Sequence, residues 1–88
     1  MDRLPVRNVG DRVVCLFVEP LGMDYWMLPG DEFIVLGDPE APSSGLSIDT
    51  MPDHVIVVVD EGDCFNVAVY DHRTGAELEC GHQRPAAG

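Results

Sequence analysis

The stretch RVVCLFVEPLGMDYWMLPGDEFIVL, residues 12–36, holds two apolar runs and a shorter YWML segment, all separated by turn residues. In the first run, Val13–Val18, both alternating sets of positions are apolar, which predicts a central strand with neither face in water. Pro29-Gly30 predicts a chain reversal, because proline presets φ at the first corner of a type II turn and glycine accepts the positive φ of the second. Tyr25–Leu28 and Phe33–Leu36 are then strands on either side of that turn.

Further strands are predicted downstream. Leu46–Thr50 alternates apolar and polar residues, which is typical of an edge strand with one wet face. His54–Val59 is almost wholly β-branched and indicates a second buried strand. Phe65–Tyr70 has one apolar face, and Ala76–Glu79 is expected to return from a hairpin loop in which Gly75 takes the left-handed conformation.

The predicted fold class is all-β: a small single-domain β-sandwich of about seven short, mainly antiparallel strands, with a small β-barrel as the alternative. No long run combines a helical period with caps. Residues 1–11 are expected to form an irregular N-terminal arm, residues 12–80 the domain, and residues 81–88 a disordered C-terminal tail. The predicted core side chains are Val14, Leu16, Val18, Ile34, Leu36, Val57, Val59, Phe65, Val67 and Val69.

The chain is strongly acidic. Sixteen acidic and five basic residues give a formal charge of −11, and residues 13–72 contain neither lysine nor arginine. Nucleic acids and anionic membranes are bound by neutralising negative charge with Lys and Arg, so both are disfavoured as partners. The acids either solubilise the protein or steer it towards a basic protein.

The cysteines and the lengths of the apolar runs indicate the cellular compartment of the protein. Cys15, Cys64 and Cys80 are odd in number and lack framework spacing, which favours free thiols in a reducing compartment, although a disulfide stays open. The longest apolar run is far shorter than the roughly 18 residues of a membrane span. The start MDRLPVRNVGDR lacks the apolar segment of a secretory signal. We therefore expect a cytoplasmic protein.

The phrase YWMLPGDEFIVL, residues 25–36, resembles the strand pairs of cupredoxin-like β-sandwich domains. A blue-copper site in that family needs His, Cys, His and usually Met, with the Cys, the second His and the Met close together on a C-terminal loop. Here Cys80-Gly81-His82 is followed by Gln83-Arg84-Pro85 and by no methionine. The resemblance therefore implies a sandwich without the copper ligands.

Metal binding and catalysis have weaker candidates. Structural zinc modules place paired ligands about two to four residues apart twice over, and here only one such pair occurs. The alternative metal set is Cys64, His72, Cys80 and His82. Cys80 with His82 as its base is also the candidate for nucleophilic catalysis, but the two pair only if the backbone turns at Gly81. We predict no cofactor and no bound metal.

The leading interpretation is a small non-catalytic protein, monomeric or homodimeric, that binds a basic protein partner. Tryptophan and tyrosine are enriched in interface hot spots, methionine adapts to irregular surfaces, and carboxylates can meet an arginine. The predicted contact residues are Leu21, Met23, Asp24, Tyr25, Trp26 and Asp31. The opposing expectation is that Trp26 packs in the core. Alternative functions are a metal-binding protein or enzyme using Cys80 and His82, and a homo-oligomeric structural module paired through Leu46–Thr50.

Overall fold

The computed structural model describes residues 3–41 and 45–86, which form seven strands in two sheets and no helix. The strands are β1 (Arg3–Arg7), β2 (Val14–Glu19), β3 (Met23–Met27), β4 (Glu32–Leu36), β5 (Leu46–Thr50), β6 (His54–Val59) and β7 (Ala68–Asp71). One sheet has the order β1-β4-β7 and the other β3-β2-β6-β5. All pairings are antiparallel except that of β2 with β6. Within these residues the sheets do not close, so the predicted sandwich is confirmed and the barrel alternative is wrong.

The predicted central position of the strand is confirmed, because β2 lies between β3 and β6. The prediction that neither face meets water is wrong, because Phe17, on the face away from the core, is only partly buried. Leu16 and Val18 point into the space between the sheets and are buried, and so is Cys15 on the opposite face. The strand begins at Val14, one residue later than expected, and Val13 is exposed. The predicted edge is also confirmed, since β5 ends the order of its sheet.

The core is formed by side chains of both sheets. Its buried cluster contains Val6, Leu16, Val18, Tyr25, Met27, Phe33, Val35, Val57 and Val69. Of the predicted core residues, Leu16, Val18, Ile34, Val57 and Val69 are buried, whereas Val14, Leu36, Val59 and Val67 are partly buried.

The prediction for Phe65 is wrong, since 78% of this residue is exposed. The Asp63 side chain accepts a hydrogen bond from the Phe65 N–H (2.9 Å), and the Asp63 carbonyl accepts one from the Asn66 N–H (2.9 Å). Asp38 fixes this turn by accepting from the Asp63 N–H (2.7 Å) and from the Asn66 amide (3.0 Å). Side-chain acceptors thus hold a β-turn where the apolar alternation predicts a strand. Consequently, β7 begins only at Ala68.

The turn at Pro29-Gly30 forms as predicted. The Asp31 N–H donates to the Leu28 carbonyl (2.9 Å), and Gly30 has a φ of 89°. Its flanking strands do not pair with each other, because β3 and β4 belong to different sheets. The turn therefore carries the chain from one sheet to the other.

The prediction of an irregular arm over residues 1–11 is wrong in its middle, because Arg3–Arg7 forms β1 and pairs with β4. Val6 is buried in the core, while Arg3, Pro5 and Arg7 occupy the exposed positions. Proline is tolerated here since β1 is an edge strand. Residues 1–2 lie outside the described part of the chain.

The C-terminal region also differs from the prediction. Gly75 takes the expected positive φ of 75°, but Ala76–Glu79 forms only an isolated bridge from Glu77 to Tyr70 instead of a strand. Residues 81–86 do not form a disordered tail, because the segment that follows Cys80 lies along β3. Residues 87–88 are outside the described range.

Candidate protein-binding surface

The four-stranded sheet has a second apolar face, opposite to the core. Side chains alternate across a strand, so the neighbours of buried Leu16 and Val18 point away from the core. In the register of the sheet, Cys15 lies opposite Trp26 on β3 and His54 on β6. We call this surface the outer apolar face. It consists of Val13, Phe17, Trp26, Ile56 and Val58.

Side chains on the outer apolar face remain partly exposed. Val13 is 42% exposed, while Phe17, Trp26, Ile56 and Val58 fall between buried and exposed. Phe17 meets the His54 ring edge-on, with the ring centroids 5.6 Å apart. The result is a continuous apolar surface across three adjacent strands, with two aromatic side chains near its centre.

Cys15 lies beneath this surface and is buried. Burial, with a smaller contribution from the nearby Asp24 carboxylate, raises the pKa of the Cys15 thiol to about 11. The thiolate is the reactive form of cysteine, and at neutral pH this thiol is protonated. Cys15 therefore acts as a small apolar side chain that supports the aromatic residues above it.

Carboxylates surround the outer apolar face. By strand alternation, Glu19 lies on the same face as Phe17, and Asp49 lies on the face of its register partner Ile56. Asp53 precedes β6, and its Oδ1 is 2.7 Å from His54 Nδ1, a hydrogen bond that lowers the Asp53 pKa.

Three of the five arginines lie on or beside the other sheet. All four strands of the larger sheet come from within residues 13–72, which contain no lysine or arginine. Arg3 and Arg7 are exposed on β1, and Arg73 follows β7. Arg7 is paired with Glu32, with Nε 3.1 Å from Oε1. Arg84 is an exception, because it contacts Asp24 on β3 of the larger sheet.

The structure divides the predicted contact residues between the two faces of β3. Asp24 and Trp26 lie on the outer face, opposite Phe17 and Cys15 of β2. Tyr25 is buried in the core at 4% exposure, and Met23 packs against the same core. The period of two along a strand separates these neighbours, so the six residues do not form one surface.

The two remaining contact residues lie outside β3. Leu21 is exposed in the loop between β2 and β3. Asp31 accepts hydrogen bonds from the Leu28 N–H (2.8 Å) and from the Gln83 amide (2.9 Å).

The Asp24 carboxylate is occupied by groups of its own chain. Arg84 donates to it twice, from Nε to Oδ2 (2.7 Å) and from Nη2 to Oδ1 (2.5 Å). It also accepts from Trp26 Nε1 (2.8 Å) and from Cys80 Sγ (3.4 Å). The Arg84 bonds, followed by that of Trp26, hold the Asp24 pKa well below its usual range, and Asp24 in turn raises the pKa of Arg84. Sequence reasoning placed Arg84 in a tail and so missed this partner.

The alternative metal set is dispersed. His72 Nε2 lies 3.5 Å from Glu32, Cys80 contacts Asp24, and the His82 ring packs edge-on against Phe33 with centroids 5.6 Å apart. Throughout residues 3–41 and 45–86, no three His, Cys, Asp or Glu side chains are close enough together to hold a metal ion. Cys80 and His82 therefore contact different residues, and the two do not form one site with Cys64 and His72.

Comparison with known proteins gives no relative: no protein-family model, curated protein or solved structure matches the chain. Within the described residues, no helix is long and apolar enough to cross a membrane.

Proposed function

We propose that the protein is a small non-catalytic binding module that engages a basic protein partner through the outer apolar face. The observation that carries this proposal is that both faces of the four-stranded sheet are apolar, while only the inner one packs in the core. Apolar residues scattered singly on a surface are ordinary, but a contiguous patch rimmed by polar groups marks an interaction site. Trp26 and Phe17 supply the aromatic side chains that dominate binding energy in such sites.

The charge of the sheet supports a basic partner. Glu19, Asp49 and Asp53 surround the outer apolar face, and the strands of this sheet contain no lysine or arginine. Such a field speeds the approach of a positively charged protein and repels phosphate backbones and anionic membranes. Salt screens this steering, because the Debye length is only about 8 Å at physiological ionic strength. Binding should therefore weaken as salt is added.

We place the protein in the cytoplasm as part of the same proposal. Cys15, Cys64 and Cys80 are all unpaired, as expected where thiols stay reduced. A homo-oligomer paired through β5 is the second candidate, since β5 ends the order of its sheet and its Ile48 is 45% exposed. Light scattering after size-exclusion chromatography distinguishes the two candidates, because only the second requires self-association.

The test is capture from a host lysate with two matched variants. Phe17→Ala removes an aromatic ring from the outer apolar face, and Phe65→Ala removes one from an exposed turn outside it. We expect the wild type and Phe65→Ala to retain the same basic protein at about 50 mM salt and to release it at about 500 mM, whereas Phe17→Ala retains little at either concentration. Equal retention by both variants, or an acidic captured protein, would contradict the proposal.

A further inference from the structure

The outer edge of β3 is covered by the chain's own C-terminal segment. The Gly81 N–H donates to the Asp24 carbonyl (2.6 Å), and the Trp26 N–H donates to the His82 carbonyl (2.8 Å). These bonds form a parallel bridge between Tyr25 and His82. The segment thus occupies the place of a further strand beside β3, which is how extended peptides add to an exposed sheet edge.

Two side chains of this segment form hydrogen bonds with residues of β3 and with Asp31 in the turn after it. Arg84 makes its two hydrogen bonds to the Asp24 carboxylate, the fork geometry that selects arginine over lysine. The Gln83 amide donates to the Trp26 carbonyl (2.7 Å) and to the Asp31 carboxylate (2.9 Å). Arg84 therefore brings a cation to a sheet whose own strands contain no lysine or arginine.

The segment is attached mainly by polar contacts, together with the packing of the His82 ring against Phe33. The Arg84 side chain is 57% exposed, Gln83 is exposed, and a single bridge joins the segment to β3. Gln83 also has a φ of 58°, a left-handed conformation that L-residues other than Asn and Asp seldom adopt. Elements with few buried apolar contacts and exposed hydrogen bonds are those that open most easily from a native structure.

We propose that the outer edge of β3 is a binding site for an extended, arginine-containing segment of a partner protein, and that Gly81–Arg84 occupies this site when the partner is absent. The inference rests on the proposed function, because it identifies the feature of the basic partner that the acidic sheet recognises. The partner's arginine takes the place of Arg84 on Asp24, and its backbone bonds to the Asp24 carbonyl and the Trp26 N–H. The residues next to that arginine then lie beside the outer apolar face.

The test uses the single tryptophan of the full-length chain. Its indole N–H donates to Asp24, so its one indole cross-peak in a ¹H–¹⁵N spectrum reports on the site. The probe is a capped peptide of residues 79–86, ECGHQRPA, kept reduced. Arg84→Gln weakens the resident segment, and Arg73→Gln is the matched control that removes the same charge elsewhere on the chain.

We expect the peptide to shift the indole signal of Arg84→Gln at concentrations about tenfold lower than it needs for the wild type or Arg73→Gln, because the tethered segment competes at high effective concentration. A peptide with glutamine in place of the arginine should give no shift, and neither should the probe with an Asp24→Asn chain. Equal titrations of the three chains, or no shift with Arg84→Gln, would overturn the proposal. An unfolded Arg84→Gln chain would overturn it too, since a displaceable segment is not required for folding.

This titration leaves Phe17 and the rest of the outer apolar face unaltered. If the titration fails while capture still depends on Phe17, the β3 edge site is wrong and the proposed function stands. If the peptide binds but capture does not depend on Phe17, the β3 edge site stands and the proposed role of the outer apolar face is wrong.

Discussion

Leu16 and Phe17 are neighbours on β2, yet they lie in different environments. Leu16 is buried between the two sheets, whereas Phe17 lies on the outer apolar face against His54. The sequence makes both faces of this strand apolar, and the position of the second sheet decides which becomes core. An apolar run in a central strand thus supplies the core on one face and leaves a second apolar face outside the core, where we propose that the partner binds.

Substitutions on the two faces of β2 should differ in how much they lower the free energy of unfolding. Leu16→Ala should lower the free energy of unfolding by about 2–5 kcal/mol, because it removes buried methyl groups and leaves a cavity. Phe17→Ala should cost only about 1 kcal/mol, since its ring already meets solvent on one side. Urea unfolding of the two variants measures both values. If Phe17→Ala proved the more damaging, the faces of β2 would be wrongly assigned.

A smaller effect is expected in the pH dependence of stability, through the Asp24 carboxylate on the outer face of β3. Arg84 and Trp26 depress the folded-state pKa of Asp24 below the value of about 3.9 for an unfolded chain. Its contribution to stability is therefore present above about pH 4 to 5 and is lost as the pH falls towards the folded-state pKa. The effect should be modest, because more than half of the Arg84 side chain is exposed to screening solvent.

Urea midpoints at several values from about pH 3 to 6 measure this dependence. In Asp24→Asn, the free energy of unfolding should fall less steeply as the pH is lowered than it does in the wild type. The control is Asp49→Asn, which changes an exposed carboxylate on β5 and should keep the wild-type slope. The same slope in the wild type and Asp24→Asn would mean that the contact with Arg84 contributes nothing to the folded state.

Local chemistry made part of this fold predictable. Both alternating sets of Val13–Val18 are apolar, and this pattern indicated the central strand without knowledge of its partners. Pro29 and Gly30 likewise specify their turn through their own backbone preferences, and the turn forms.

Two of the failures involve partners that are distant in sequence. Phe65 leaves the core because Asp38 holds its turn across 25 residues, through the Asp63 N–H. Arg84 reaches Asp24 across 60 residues, and no local pattern marks such a pair. Trp26 is half-buried on the outer face of β3, and which residues lie near it there, Phe17 and Ile56 among them, depends on how β3, β2 and β6 pair.

A fluorine label on Trp26 tests whether the outer apolar face is the surface that meets the partner, as we propose. The chain has one tryptophan, so incorporation of 5-fluorotryptophan gives a single ¹⁹F resonance in the presence of an unlabelled partner. We predict that the captured basic protein shifts this resonance and shields it from solvent, and that added salt reverses both changes. A resonance that stays unchanged while the partner is bound would contradict the claim.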